Sequence, residues 1–445
     1  MELRLLVPAS PELQSPGPSI DLDGQRWILT EPLDVNGGDI PPYVCVSYVW
    51  GKDTMPNLNP FHPDIPMSSR THSVVCATVR SIRPSAIWVD AFCIPPSPVV
   101  TRRATLESMG YIYGHAKCVV AVLSPHSFSA VLEMSRVRNP DETKFYLLDI
   151  LEKDSWVESI WTYQEIVNNT EIFFIGEDSG GAVLEGPLAA RRRYPKLDAF
   201  EDLVADWRCD LPCSRCAAGI ISNLDRRVYD DKKNYFYSMI GAVADTPSGR
   251  STASTVDSLA EKFMSICERK GDYSFIFTST PRDERPGYRW RPRPGMVRAL
   301  ITYRCEGERL EGVREGDNIM LKDIIIARRA PSVNSNGISY IREWLKLGKN
   351  AEYETDEILA LFLQALRTLD FTGSQHYITT DDGAFFPQNE ISQDTPVLIY
   401  ISRSLRYANF GAPGLAVIGE GQHKVYIPGV FAGFRDVESQ SEILL

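Results

Sequence analysis

Between Pro42 and Gly176, short apolar runs of strand character alternate with segments whose apolar residues recur at helical spacing. That alternation predicts an α/β fold, a parallel sheet with helices on both faces. Residues 43–49 are rich in strand formers, and Val74, Val75, Thr78, Val79 and Ile82 make a helical stripe. Residues 86–90 form a short strand, followed by a second stripe at Leu106, Met109, Ile112 and Tyr113. Residues 118–123 are continuously apolar, as a strand buried on both faces must be. Helical patterns at 146–151 and 157–168 then precede a fourth strand at 171–175. Such sheets bind ligands beyond the carboxyl ends of their strands. The candidate contacts are therefore residues 47–51, residues 90–93 and Ser124. Asp90 closes an apolar strand with a polar group, so it is either a helix N-cap or a ligand contact.

The segment Asp154-Ser-Trp-Val-Glu-Ser-Ile-Trp-Thr-Tyr-Gln-Glu165 carries its own constraint. Val157, Ile160, Trp161 and Val167 define a buried helical stripe, Gln164 continues it, and Glu165 lies at i+4 from Trp161. A carboxylate at the edge of a buried aromatic face is costly unless something binds it. Glu165 is either a structural carboxyl with a nearby partner or a functional one.

The bulk numbers exclude several classes. A net charge of −11 and a pI near 5.2 argue against a general binder of nucleic acid or anionic membranes. Arg191-Arg192-Arg193 and the arginines of 289–293 are short patches, not a nucleic-acid track. The run Leu5-Leu6-Val7 is too short for a signal-peptide core, and no stretch approaches the roughly 18 apolar residues of a membrane span. The expected location is cytoplasmic. In a reducing compartment Cys45, Cys76, Cys93, Cys118 and Cys267 read as buried thiols. Cys209, Cys213 and Cys216 lack a nearby fourth ligand, so no structural metal is expected there. The chain has no phosphate loop, no G-x-G-x-x-G after a strand, no H-E-x-x-H and no G-x-S-x-G elbow. Its six histidines are scattered without ligand spacing.

Beyond residue 181 the chain reads as helical and loop-rich, with helices at 225–243 and 254–269 and a short strand at 271–278. From about residue 296 it reads as α+β, with strands at 323–327 and 396–402, an amphipathic helix at 356–369, and a hairpin from 414–419 and 424–428. The implied domains are 1–180, 181–295 and 296–445.

Four segments together resemble the fungal heterokaryon-incompatibility (HET) domain. Tyr43-Val-Cys-Val-Ser-Tyr-Val-Trp-Gly51 is similar to its opening SYxWG strand, and Ile87-Trp-Val-Asp-Ala-Phe-Cys-Ile94 to its WxDxxCI element. Met109-Gly-Tyr-Ile-Tyr-Gly-His-Ala116 resembles its M-x-x-I-Y-x-x-A helix, and Trp156 to Glu165 its W…W-T-x-Q-E helix. Pro95-Pro96 stand where the family usually carries Asn or Asp then Gln, and Thr101 and Thr105 stand where it carries Glu and Gln.

HET domains in turn look like distant relatives of Toll/interleukin-1 receptor (TIR) domains, many of which cleave NAD at the nicotinamide–ribose bond. The resemblance implies a TIR-like sheet and a catalytic glutamate at Glu165. It also implies nucleotide contacts from Ser47, Tyr48, Trp50, Gly51, Asp90, Ser124 and Trp161. No cofactor is required on this reading, NAD+ entering as substrate. Self-association into a homo-oligomer and an allorecognition partner are also implied. The first functional reading is an effector of non-self recognition and programmed cell death that acts as an NAD+ glycohydrolase. The alternative is a non-catalytic signalling module that works by self-association.

Overall fold

The computed structural model describes residues 1–9, 17–55, 59–136, 145–178, 183–185, 215–249, 251–279, 281–303, 305–348, 352–407, 411–435 and 443–444. The chain divides into two compact units: Met1–Pro212 with Arg227–Ser254, and Cys213–Arg226 with Thr255–Leu445. The segment 181–295 is thus shared between them.

The first unit is built on an eight-stranded mixed sheet. Its strands are β1 (Leu6–Pro8), β2 (Ser19–Leu22), β3 (Gln25–Leu29), β4 (Val44–Ser47), β7 (Ile87–Trp88), β8 (Cys118–Leu123), β9 (Ile172–Gly176) and β10 (Val183–Glu185). A separate small hairpin is formed by β5 (Thr54–Met55) and β6 (Met67–Ser68). The order is β10-β9-β8-β4-β7-β1-β3-β2. β9, β8, β4 and β7 run parallel, as the alternation predicts. At both flanks of this parallel core, β10 and the β1–β3–β2 meander add antiparallel strands. The meander precedes the alternating pattern and is too short and polar to announce itself: β2 and β3 bury mainly Leu22 and Trp27.

The parallel strands are buried on both faces; every residue of β4 and β8 is buried. That double burial needs helices above and below. They are α1 (Thr71–Ile82), α2 (Asp90–Cys93), α3 (Val99–Glu107), α4 (Met109–His115), α5 (Pro125–Arg136), α6 (Phe145–Glu152), α7 (Ser155–Glu158) and α8 (Ile160–Val167). α1 buries Val74, Val75, Thr78 and Val79 and ends at Arg83, in the left-handed conformation just before Pro84. After the central β4 the chain lays β7 on one side and then returns to lay β8 and β9 on the other. The two sides diverge between β4 and β8, a topological switch point.

In the second unit, α9 (Ala217–Leu224) lies beside a 3-10 turn at Ser274–Phe277. That turn corrects the strand read at 271–278: four successive buried residues wind instead of alternating. The helix read at 225–243 begins only at Lys232, where Asp231 caps α10 (Lys232–Val243); α10 belongs to the first unit. α11 (Val256–Arg269), capped by Thr255, starts two residues later than read.

The second unit's main sheet contains β14 (Ile324–Arg328), β15 (Ile378–Thr380), β16 (Gly383–Pro387), β17 (Leu398–Ser402), β19 (Ala412–Ile418) and β20 (Val425–Gly433). β11 (Glu306–Gly307) pairs β18 (Leu405–Arg406), and β12 (Gly312–Glu315) pairs β13 (Asn318–Leu321), which pairs β21 (Ile443–Leu444). The six strands curl until the chain just past β14 meets β15, Ala330 N–H donating to Thr379 O at 2.8 Å. Alternate residues Ile325, Ile399, Ile401, Ala416, Ile427, Phe431, Phe385 and Ile378 form one apolar core, the period of a strand with one face inward. α12 (Ser335–Trp344) packs on β16 and β20, and α13 (Thr355–Thr368) packs on α12.

Candidate functional site

Ser47 ends β4, Asp90 follows β7 and Ser124 follows β8. Cys45 pairs with Trp88 and Ser47 with Ala121 in parallel register, which puts these three residues at the same end of the sheet.

At the centre Ser47 donates from Oγ to Glu165 Oε2 at 2.6 Å, and Trp156 Nε1 donates to Ser47 Oγ at 2.8 Å. The hydroxyl thereby bridges the two groups, accepting from the indole and donating to the carboxyl. Ser47, Trp156 and Glu165 are all buried, Glu165 at 4% exposure. Burial pushes the Glu165 carboxyl up from 4.5 to about 8, against the Ser47 hydrogen bond and with help from the nearby Asp90 charge. At neutral pH Glu165 therefore holds its proton.

Beside it Trp50 Nε1 donates to Asp90 Oδ2 at 2.8 Å, and Asp90 Oδ1 accepts from the Ala91 N–H at 2.7 Å. Asp90 is the first residue of α2, not its N-cap, which is Val89, yet its carboxyl still satisfies an N-terminal amide. Burial raises its pKa to about 6, below that of Glu165. Two neighbouring carboxyls whose environments separate their pKa values are the pattern of an acid and a base with divided roles.

Tyr48 stays beside this pair: its hydroxyl shares a 2.6 Å hydrogen bond with Thr71 Oγ1 at the start of α1 and also helps to hold the Asp90 charge. Gly51 takes φ 74, which a side chain rarely adopts. The 48–51 loop is tied down by Arg70, which donates to Val49 O at 3.1 Å and pairs with Glu177 at 2.7 Å just past β9, while Ser68 Oγ donates to Trp50 O.

Ser124 and Trp161 lie outside this hydrogen-bonded cluster. Ser124 donates to Asp154 Oδ2 at 2.7 Å, and Asp154 caps α7 through the Trp156 N–H at 2.8 Å. Trp161 is half-buried and stacks on Tyr237 of α10, centroids 6.3 Å apart. The stripe read as one helix over 157–168 is broken at Ser159, whose extended backbone separates α7 from α8. That break lets Trp156 reach Ser47 from one short helix while Glu165 reaches it from the next.

The remaining neighbours fix α8. Arg227 donates to Ser159 O at 2.9 Å and Thr162 Oγ1 at 3.0 Å, and its guanidinium lies 5.3 Å from the Tyr163 ring centre. α4 and α10 approach to backbone contact, and the Gln164 side chain of α8 lies against Gly241. A Cβ at Gly110 would fall 1.7 Å from Gly241 O, and one at Gly241 would fall 1.6 Å from Gln164 Oε1. Gln164, next to Glu165, is pinned by that approach.

Sequence reasoning missed Trp156, Asp154, Thr71, Arg70 and Glu177 as parts of this end of the sheet. Trp156 had a usable signal: a buried indole N–H needs an acceptor. The Arg70–Glu177 pair spans 107 positions and has no local signal. Cys45, Cys76, Cys93, Cys118 and Cys267 are buried free thiols. Cys209 and Cys213 lie outside the described residues, while Cys216 caps α9, accepting the Gly219 N–H. Among the described residues no helix is long and apolar enough to cross a membrane.

The order β7-β4-β8-β9, with polar and titratable groups gathered beyond the carboxyl ends, defines a doubly wound α/β domain with its candidate site at the switch point. Residues 43–165 match the family model described as Heterokaryon incompatibility protein (HET), and the chain carries a heterokaryon-incompatibility domain over that segment. The match opens just before β4 and closes on Glu165, so it spans both partners of the Ser47–Glu165 contact. No curated protein and no solved structure matches the chain.

Proposed function

We propose that the chain is an effector of fungal non-self recognition whose HET domain hydrolyses NAD+ to nicotinamide and ADP-ribose in a TIR-like manner, with Glu165 as the catalytic carboxyl. The HET match supports a role in heterokaryon incompatibility. The observation that carries the chemical reading is the Ser47–Glu165 contact at 2.6 Å, beside Asp90, at the end of the sheet where such folds take ligands.

The bond that breaks joins ribose C1′ to the nicotinamide nitrogen. Its electron pair leaves with nicotinamide, which departs neutral, and positive charge builds on the ribosyl ring. A carboxylate beside that ring stabilises the charge. Water then bonds to C1′ and its proton passes to solvent. Glu165 is protonated at rest, and the cationic nicotinamide riboside is the kind of neighbour that draws out the charged form. Asp90, which loses its proton at lower pH, accepts from ribose hydroxyls. Trp50 offers a ring face for the nicotinamide or adenine, and the Gly51 turn lets backbone approach phosphate.

Incubating the purified full chain with NAD+ and quantifying nicotinamide and ADP-ribose tests this. Turnover that falls by about 10²–10³-fold in Glu165→Gln is the expected result. Turnover equal in wild type and variant removes Glu165 from the mechanism.

One observation favours the second reading, a non-catalytic module acting by self-association. Glu165 is 4% exposed and satisfied by Ser47, as a purely structural carboxyl would be. An absence of NAD+ cleavage by an assembled, signalling-competent protein would decide for it.

A further inference from the structure

At the amino ends of the parallel strands, opposite the Glu165 end, the first unit holds a cavity of about 870 Å³. Val44 and Phe173, from β4 and β9, and Ile82, from the end of α1, give it an apolar lining. Arg83, the left-handed residue that ends α1, and Lys117, just before β8, both line it and are exposed. Neither side chain forms an ion pair among the described residues. The Ser81 hydroxyl, also in the lining, is buried without a hydrogen-bond partner. Leaving a buried hydroxyl unpaired is destabilising; a ligand oxygen would satisfy it.

The charges facing the cavity are Arg83, Lys117 and Glu171, two cations against one anion. A cavity of this volume is in the range that small-molecule sites occupy, and an apolar lining with a few polar groups is their usual composition.

We propose that this cavity is a second ligand site of the first unit, for a small amphipathic anion. An apolar ring body packs on Val44, Ile82 and Phe173, and one anionic group meets Arg83 and Lys117, with Ser81 donating to it. This site stands apart from the NAD+ reading and survives its failure, since it shares no residue with the Ser47–Glu165 cluster.

The probe is 8-anilinonaphthalene-1-sulfonate, titrated into the full chain and followed by fluorescence and calorimetry. Its neutral counterpart N-phenyl-1-naphthylamine is the control. The expected result is one saturable sulfonate site, weakened at high salt because both cations are exposed. Arg83→Gln with Lys117→Gln weakens it at least about tenfold, and Glu171→Gln tightens it. All three substituted side chains are exposed, so thermal unfolding should be unchanged, and that measurement separates lost binding from lost folding. Equal affinity in the double variant overturns the proposal. So does equally tight binding of the neutral counterpart, which would make the cavity an apolar patch only.

Discussion

Replacing Glu165 by Gln preserves the shape of the side chain and an oxygen to accept from Ser47, and removes one titratable proton. Burial lifts this carboxyl from 4.5 to about 8. The folded chain therefore holds the proton more tightly than the unfolded chain does. The resulting stabilisation is complete below pH 4.5 and is lost as pH rises through about 8. Each unit within that window withdraws about 1.4 kcal/mol. Relative to the Gln variant, wild type should lose roughly 3 kcal/mol between pH 4.5 and pH 7, and roughly 5 kcal/mol by pH 8. These figures are ceilings, because admitting water around an ionised Glu165 relieves part of the cost. Urea unfolding of both proteins over one pH series measures the difference directly, since every other titrating group is common to the two. The Gln variant should match wild type near pH 4.5 and become steadily more stable above it. A difference that stays flat across the window would refute the account of a buried, protonated Glu165.

Ser47→Ala leaves the buried Trp156 N–H and Glu165 without their shared partner, and should cost about 1–3 kcal/mol in urea unfolding; a neutral result would mean that water replaces the hydroxyl. Gly241→Ala drives a methyl into Gln164 and should destabilise the first unit by roughly 1–3 kcal/mol. Gln164→Ala in the same chain should recover part of that loss, and additive losses would show that the close approach is not the cause. Asp90→Asn keeps acceptor capacity for Trp50 and removes a charge that raises the Glu165 pKa. On that background the pH at which the effect of Glu165→Gln levels off should move down while its onset near pH 4.5 stays put; an unmoved upper limit would uncouple the two carboxyls.

The parallel core was legible in the sequence because strands buried on both faces must be continuously apolar, and β8 (Cys118–Leu123) has the bounds the sequence marks. The polar residues ending those strands, Ser47, Asp90 and Ser124, were legible for the same reason: they interrupt the pattern where a parallel sheet exposes its carboxyl ends. The hairpin of β19 and β20 and the helix α13 also carried their signals locally, in turn residues and amphipathic period. Tertiary structure alone decided who meets whom. Glu165 lies 118 positions from Ser47, and only the break at Ser159 between α7 and α8 brings it and Trp156 to one hydroxyl. Trp161, which shares Glu165's helix, went to Tyr237 because α10 packs on that side, and nothing within α8 encodes α10. The β1–β3–β2 flank and the clamp from Arg70 to Glu177 were equally silent. Edge strands and long-range ion pairs take their stability from the partner they find, and a linear pattern records only a segment's own period.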